Sequence, residues 1–336
     1  MSDPQRKLTT RPLTAQDFEQ VVNIDASISG RHRPGFFEKR LAAALEEPKY
    51  FVYIGCEQQG KLKGFLLARL LEGEYGGSEP VAVLDSFGVN PDSQGHGIGR
   101  TMLKGMEDIL RHKNISQVHT HADWRNQSIL RFFADVGFRL SSTQILERDV
   151  NRMAHSDPDE DGEPQQAYGT ESGELDYSGY QDREQFGMSA KPLTCRSLQQ
   201  ADLESLIHID SKITGRDRRS FYQRKMKEVL DESGIRVSLV AEQDGNVIGF
   251  IMARVDFGEF DRTEPRAVLD NLGVDPDFAH HQTGRALLAQ LLQNLMALRI
   301  EMIDTEIDAE HIDVLSFLVK NNFRPSQELT FSYTLN

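Results

Sequence analysis
At 336 residues and 38% hydrophobic content, the chain has material for about two domains of ordinary size, each with its own core. A formal charge of -14 and a pI near 5.2 exclude a nucleic-acid backbone as partner, which needs clustered Lys and Arg, and suit a basic substrate instead. Cys56 and Cys195 fall in strands of different halves and read as reduced thiols, and no stretch approaches the ~20 apolar residues of a membrane span, so a cytoplasmic protein without a membrane partner is expected.

In chain order, an opening strand precedes two segments with apolar residues at helical spacing, Ala15 to Ala26 and Phe36 to Leu45. Phe51 to Cys56, Leu62 to Leu71 and Val81 to Val89 read as strands. Helical spacing returns over Gly99 to His112 and Gln127 to Val136, and the strands Gln117 to Ala122 and Gln144 to Val150 complete the unit. This is an α/β arrangement, with helices flanking both faces of a mixed sheet.

The unit is written twice. Val89 aligns with Val274, an offset of 185, and the same offset places "IDASISGRHRPGFFEKR" on "IDSKITGRDRRSFYQRK" and "SILRFFADVGFR" on "DVLSFLVKNNFR". A register held over so many segments means two equivalent folds, because the period is far too long for a solenoid. The boundaries expected are a domain over 1–150, an acidic flexible linker over 151–185, and a second domain over 186–336. The linker is rich in Asp, Glu, Gly, Ser and Pro and cannot bury enough apolar surface to offset its ordering entropy. The two domains are expected to pair within the chain, with a homodimer left open.

The segment "VNPDSQGHGIGRTML" ends a strand and begins a helix, with glycines at 95, 97 and 99. The first amides of a helix have no acceptor in the helix and lie at the positive end of its dipole. Glycines let an anion approach them without a Cβ in the way. The dinucleotide and P-loop glycine patterns both fail here. Gln94-x-x-Gly97-x-Gly99, followed by Asn126 and by "FFADVGF", resembles the signature of the GCN5-related N-acetyltransferase family, and the order of elements in each half is similar to that family's fold.

The resemblance implies two such domains in tandem, acetyl-CoA as cofactor and an amine as acceptor, either a small molecule or a protein lysine or N-terminus. It implies that the amides of Gln94, Gly95, His96, Gly97, Ile98, Gly99 and Arg100 cradle the pyrophosphate. Phe87, Gly88 and Val89 would offer backbone groups to pantetheine and the acetyl carbonyl, and Asn126 would lie beside pantetheine or cap the next helix. Gly88, inside a strand, is expected to mark a bulge that splays its neighbours. Phe133 takes the place where many relatives carry a tyrosine acid and would border the cofactor.

Replacements for that acid are Tyr75, His121 and Cys56. For the base, Asp85 and Glu74 are candidates, Asp85 having the structural alternative that Arg31 and Arg33 form buried carboxylate pairs with it or with Asp25. Those arginines would otherwise bind an acidic group of the substrate. The second copy puts Ala279, His280, His281 and Gln282 in place of Gln94 to Gly97, so its cofactor turn is expected to be crowded and its role structural or regulatory. His119 with His121, and His280 with His281, lack a third ligand, and no metal is expected. The competing reading is a CoA-binding sensor without catalysis.

Overall fold
The computed structural model describes residues 8–72, 80–151, 193–232, 235–256, 265–278 and 282–335. In the first half, β1 (Thr9–Pro12) leads through a short 3-10 turn to α1 (Phe18–Ser29) and α2 (Pro34–Glu46). Gly30 ends α1 at φ 71° and Pro34 begins α2, a glycine after one helix and a proline at the start of the next, each suited to its place. Three long strands follow, β2 (Phe51–Gln58), β3 (Lys61–Glu72) and β4 (Pro80–Val89), then α3 (Ile98–His112), β5 (Gln117–Asp123), α4 (Gln127–Asp135), β6 (Arg139–Leu140) and β7 (Thr143–Asp149).

The second half repeats the series as β8 (Thr194–Ser197), α5 (Leu203–Thr214), α6 (Arg219–Lys227), β9 (Leu239–Gln243), β10 (Asn246–Asp256) and β11 (Arg266–Val274), followed by α7 (Thr283–Ala297), β12 (Met302–Asp308), α8 (Ile312–Lys320), β13 (Arg324–Pro325) and β14 (Glu328–Thr334). Each half thus builds the helix-flanked mixed sheet read from its sequence. Strands alternate their side chains between faces. On one face of β3, Leu66, Ala68 and Leu70 pack with Met102 and Met106 of α3, while Phe65 and Leu67 on the other face pack with Val21, Val22 and Phe37 of α1 and α2.

The closing strands depart from the expectation. The described residues form two seven-stranded sheets, ordered β1-β2-β3-β4-β5-β14-β6 and β13-β7-β12-β11-β10-β9-β8. Hence β7 does not complete the first sheet; it runs antiparallel to β12, from Thr143 opposite Asp308 to Asp149 opposite Met302. In return β14 pairs with β5, from Glu328 opposite Asp123 to Thr334 opposite Gln117. The halves have exchanged strands. Arg148 of β7 reaches the Asn321 carbonyl at 2.6 Å, and Tyr333 of β14 donates to Glu107 of α3 at 2.9 Å. The linker over 151–185 lies, apart from its first residue, outside the described residues.

Candidate active site
The β4–β5 pair is parallel and short. Its register runs only over Val81–Gln117, Ala82–Val118 and Val83–His119. Thr120 Oγ1 donates to the Leu84 carbonyl at 3.0 Å, and beyond that tether the strands part, leaving Ser86 to Val89 without a β5 partner. The second half parts at the equivalent place, after Val268–Asp304, with Thr305 bonded to the Leu269 carbonyl at 2.9 Å.

A bulge lies beside this split, at Asp85 rather than at Gly88. Leu67 pairs with Ser86 and Ala68 with Leu84, so Asp85 is the extra residue. Gly88 is in regular register opposite Phe65. Its reason is a close approach, since a Cβ there would lie 2.5 Å from Phe65 Cε1. Asp270 is the extra residue in the second half, between Asn271 opposite Met252 and Leu269 opposite Ala253.

Asp85 is buried and held by both nitrogens of a fork, Arg69 Nε at 2.6 Å from Oδ2 and Nη2 at 2.9 Å from Oδ1. Arg69 was not among the partners expected. Its signal is a charged residue inside an apolar strand run, repeated at Arg254, which pairs with Asp270. Arg33 meets Asp25, the second of the two carboxylates expected for it, Nη2 to Oδ1 at 2.6 Å and Nε to Oδ2 at 3.0 Å, with its guanidinium 5.3 Å from the Phe36 ring centre. Arg31 is exposed at the end of that loop, its amide 3.2 Å from Ser29 Oγ. Glu74 and Tyr75 lie outside the described residues.

At the mouth of the split, Gln94 Nε2 donates to the Val89 carbonyl at 3.2 Å, and His96 Nδ1 lies 2.8 Å from the Gln94 carbonyl. Gly95 and Gly97 have φ of 77° and 81°, values that favour glycine. A Cβ at either would find nothing within 4 Å. Their requirement is backbone conformation, and the space beside them is open. Gly99 differs, since its Cβ would lie 2.9 Å from Phe132 and 3.0 Å from Phe87, whose rings stack at 5.1 Å. The first intrahelical bond of α3 runs from the Thr101 amide to the Gly97 carbonyl at 3.0 Å. Among the described residues no protein acceptor takes the amides of Gly95 to Arg100, so six donors are left at the positive end of a 15-residue helix.

Asn126 caps α4, its Oδ1 accepting from the Ile129 amide at 3.3 Å. Phe133 is 0% exposed and packs against Phe138 and Phe331. The ring bordering the turn is Phe132, one position earlier on α4. Cys56 is buried in the core, and burial pushes its thiol up. Burial pushes the His119 imidazole down.

In the second half, Gln282 stands at the N-cap of α7 with φ 58°, a left-handed conformation that costs a non-glycine residue about 1–2 kcal/mol. The preceding turn carries Asp275 and Asp277, both within 2.8 Å of Lys212 Nζ. Ala279, His280 and His281 lie outside the described residues. Among the described residues no three His, Cys, Asp or Glu side chains converge as metal ligands, and no helix is long and apolar enough to cross a membrane.

A split parallel strand pair with a bulge beside it occurs twice in the same order, each time followed by a helix, and a family model of the acetyltransferase (GNAT) family matches residues 17–138 and 203–323. The chain belongs to this family. A GNAT neighbour of the same tandem design, a protein from the clavulanic acid biosynthesis pathway, superposes with a TM-score of 0.65 at 14% identity, covering 98% of this chain and 99% of the other. A mycothiol acetyltransferase from Thermobispora bispora is 26% identical over 162 residues, 43% of this chain; the match spans about half, 55%, of that relative. An aminoglycoside N(6')-acetyltransferase from Stenotrophomonas maltophilia is 26% identical over 129 residues, 33% of this chain and 84% of its own.

Proposed function
We propose that this GNAT protein is an acetyl-CoA-dependent N-acetyltransferase whose first half carries the reaction, with the second half structural or regulatory. The observation that carries the reading is the run of six amides from Gly95 to Arg100 left without a protein acceptor at the head of α3, with open space beside Gly95 and Gly97. Such a run suits a diphosphate, which is dianionic and accepts hydrogen bonds from several directions. Bound there, the cofactor supplies a thioester as acetyl donor.

The chain's own residues would do the rest. The amides and open glycines would hold the phosphates. The unpaired edge of Ser86 to Val89 would offer backbone groups to the pantetheine arm and to the carbonyl oxygen, where preorganised donors contribute most. Asp85, locked on Arg69 in a buried pair, sets the bulge that keeps the edge unpaired; it positions the strand rather than touching the acceptor. The acceptor is a primary amine that approaches from the α1/α2 face, past the Arg31–Arg33 loop.

In the second half, Gln282 holds the left-handed turn with a side chain where Gly97 has none, and two carboxylates precede it. Both features oppose a diphosphate. The test is calorimetry of the full chain with coenzyme A, followed by thiol release from acetyl-CoA with kanamycin, spermidine and glucosamine as acceptors; kanamycin is included because one relative is named for an aminoglycoside. One binding event per chain, abolished by Gly97→Gln, together with acetylation of at least one amine, is expected. Cofactor binding that survives Gly97→Gln would overturn the assignment of the site, and binding without turnover would favour the sensor reading.

A further inference from the structure
We propose that His121, oriented by Glu328 of the exchanged strand β14, is the proton acceptor for the incoming amine. This rests on the acetyltransferase reading. On β5, Val118, Thr120 and Ala122 are buried, and Val118 and Ala122 belong to the cluster packed with α3. Alternation therefore turns His119 and His121 to the opposite face, the face on which β3 carries Leu67, packed with α1 and α2, and Arg69, paired with Asp85. The β4–β5 register ends at Val83–His119. His121 is the next residue on that face, so its imidazole flanks the split at the level of the Asp85 bulge, beside the edge where the acetyl group would lie.

Its orientation comes from the other half. In the β5–β14 register His121 stands opposite Thr330, and Glu328 is the diagonal neighbour two positions along, a separation long side chains span. Glu328 Oε2 lies 3.4 Å from His121 Nε2, the imidazole being 17% exposed and the carboxylate 7%. A carboxylate beside Nε2 favours the tautomer protonated there and makes Nδ1 the basic atom. The duplicate positions, Glu306 and Thr143, cannot form an imidazole–carboxylate pair. The pair is thus confined to the half with the intact glycine turn.

The step balances without a further reagent. The acceptor attacks as the neutral amine: as its nitrogen forms the amide C–N bond it gives one proton to the imidazole, the thioester C–S bond breaks, and the imidazolium passes that proton to the departing thiolate. A thiol pKa near 8.5 makes that leaving group tolerable in the absence of a tyrosine acid at position 133.

Two measurements on the full chain test the pair. Long-range proton–nitrogen NMR reads the His121 tautomer without any turnover. The Nε2-protonated form is expected in the wild type and a mixed population in Glu328→Gln; a wild-type ring protonated on Nδ1 would overturn the proposal. With acetyl-CoA and kanamycin, spermidine or glucosamine, His121→Gln is expected to lower kcat about a hundredfold with coenzyme A affinity within twofold of wild type. Imidazole added to His121→Gly should restore part of the rate, and Glu328→Gln should lose about tenfold in kcat with little change in KM. An active wild type whose His121→Gln variant keeps its kcat within threefold would sink this inference and leave the acetyltransferase reading intact. A wild type that binds no coenzyme A would sink both, and if it binds but acetylates none of the three amines, the tautomer alone decides.

Discussion

Single residues separate conformation from space at the cofactor turn. Because a Cβ at position 97 meets nothing, Gly97→Gln should fold normally, losing about 1–2 kcal/mol to the left-handed φ, while coenzyme A binding weakens at least tenfold in calorimetry. Gly99→Ala should do the opposite. Its methyl drives into Phe87 and Phe132, so a loss of about 1–3 kcal/mol in urea unfolding is expected. A third residue gives a pH signature. Arg11 Nη atoms lie 2.7 Å from both oxygens of Asp17 and, against some burial, hold that carboxyl down at about 2. A depressed pKa means the stabilisation is complete above the ordinary value of about 4 and is lost as pH falls toward 2. The stability gap between wild type and Asp17→Asn should therefore be widest at neutral pH and close on acidification, as read by urea midpoints at a series of pH values.

Among elements, β4 is defined by its irregularity. Ala82 and Leu84 face α3, Phe87 and Val89 resume that face, and the two polar residues between them break the alternation. That break was legible in the sequence as Asp85-Ser86, repeated at Asp270-Asn271, although the glycine three positions later drew the assignment to itself. The long strands and helices were legible too, because their periods are 2.0 and 3.6 and each occurs twice at the same offset. Breaking the Arg69–Asp85 pair leaves a buried charge, so Arg69→Met should cost about 3–5 kcal/mol, measured by chemical denaturation, with the loss falling on both halves. The coupling has a structural basis: Glu228, at the end of α6, is held below the usual carboxylate range, despite burial, by Lys225 and Arg254 of its own half and by Arg69 of the other.

For the whole molecule, the exchange of β7 and β14 is the feature the sequence could not reveal. The two strands align with each other at the offset of the duplication, and both present Ile145–Leu146 or Thr330–Phe331 as a buried pair. Either sheet can accept either strand on pattern alone, so only three-dimensional reach decides. The consequence is testable by dissection. A fragment spanning 193–336 lacks the strand between β12 and β13, and a fragment spanning 1–151 lacks the one between β5 and β6. Neither should show a cooperative transition by circular dichroism, and mixing them should restore one together with a heterodimer by size exclusion. Two fragments that each melt cooperatively would count against the exchange.

The position of β14 near the end of the chain also dictates an order of events during synthesis. The first sheet has its helices, its glycine turn and six of its seven strands long before residue 328 emerges from the ribosome, yet an interior strand is still missing. Until residue 334 is available that sheet keeps an open seam along β5. The glycine turn can therefore be assembled early, while the neighbouring wall waits for a strand that follows every other element of both halves.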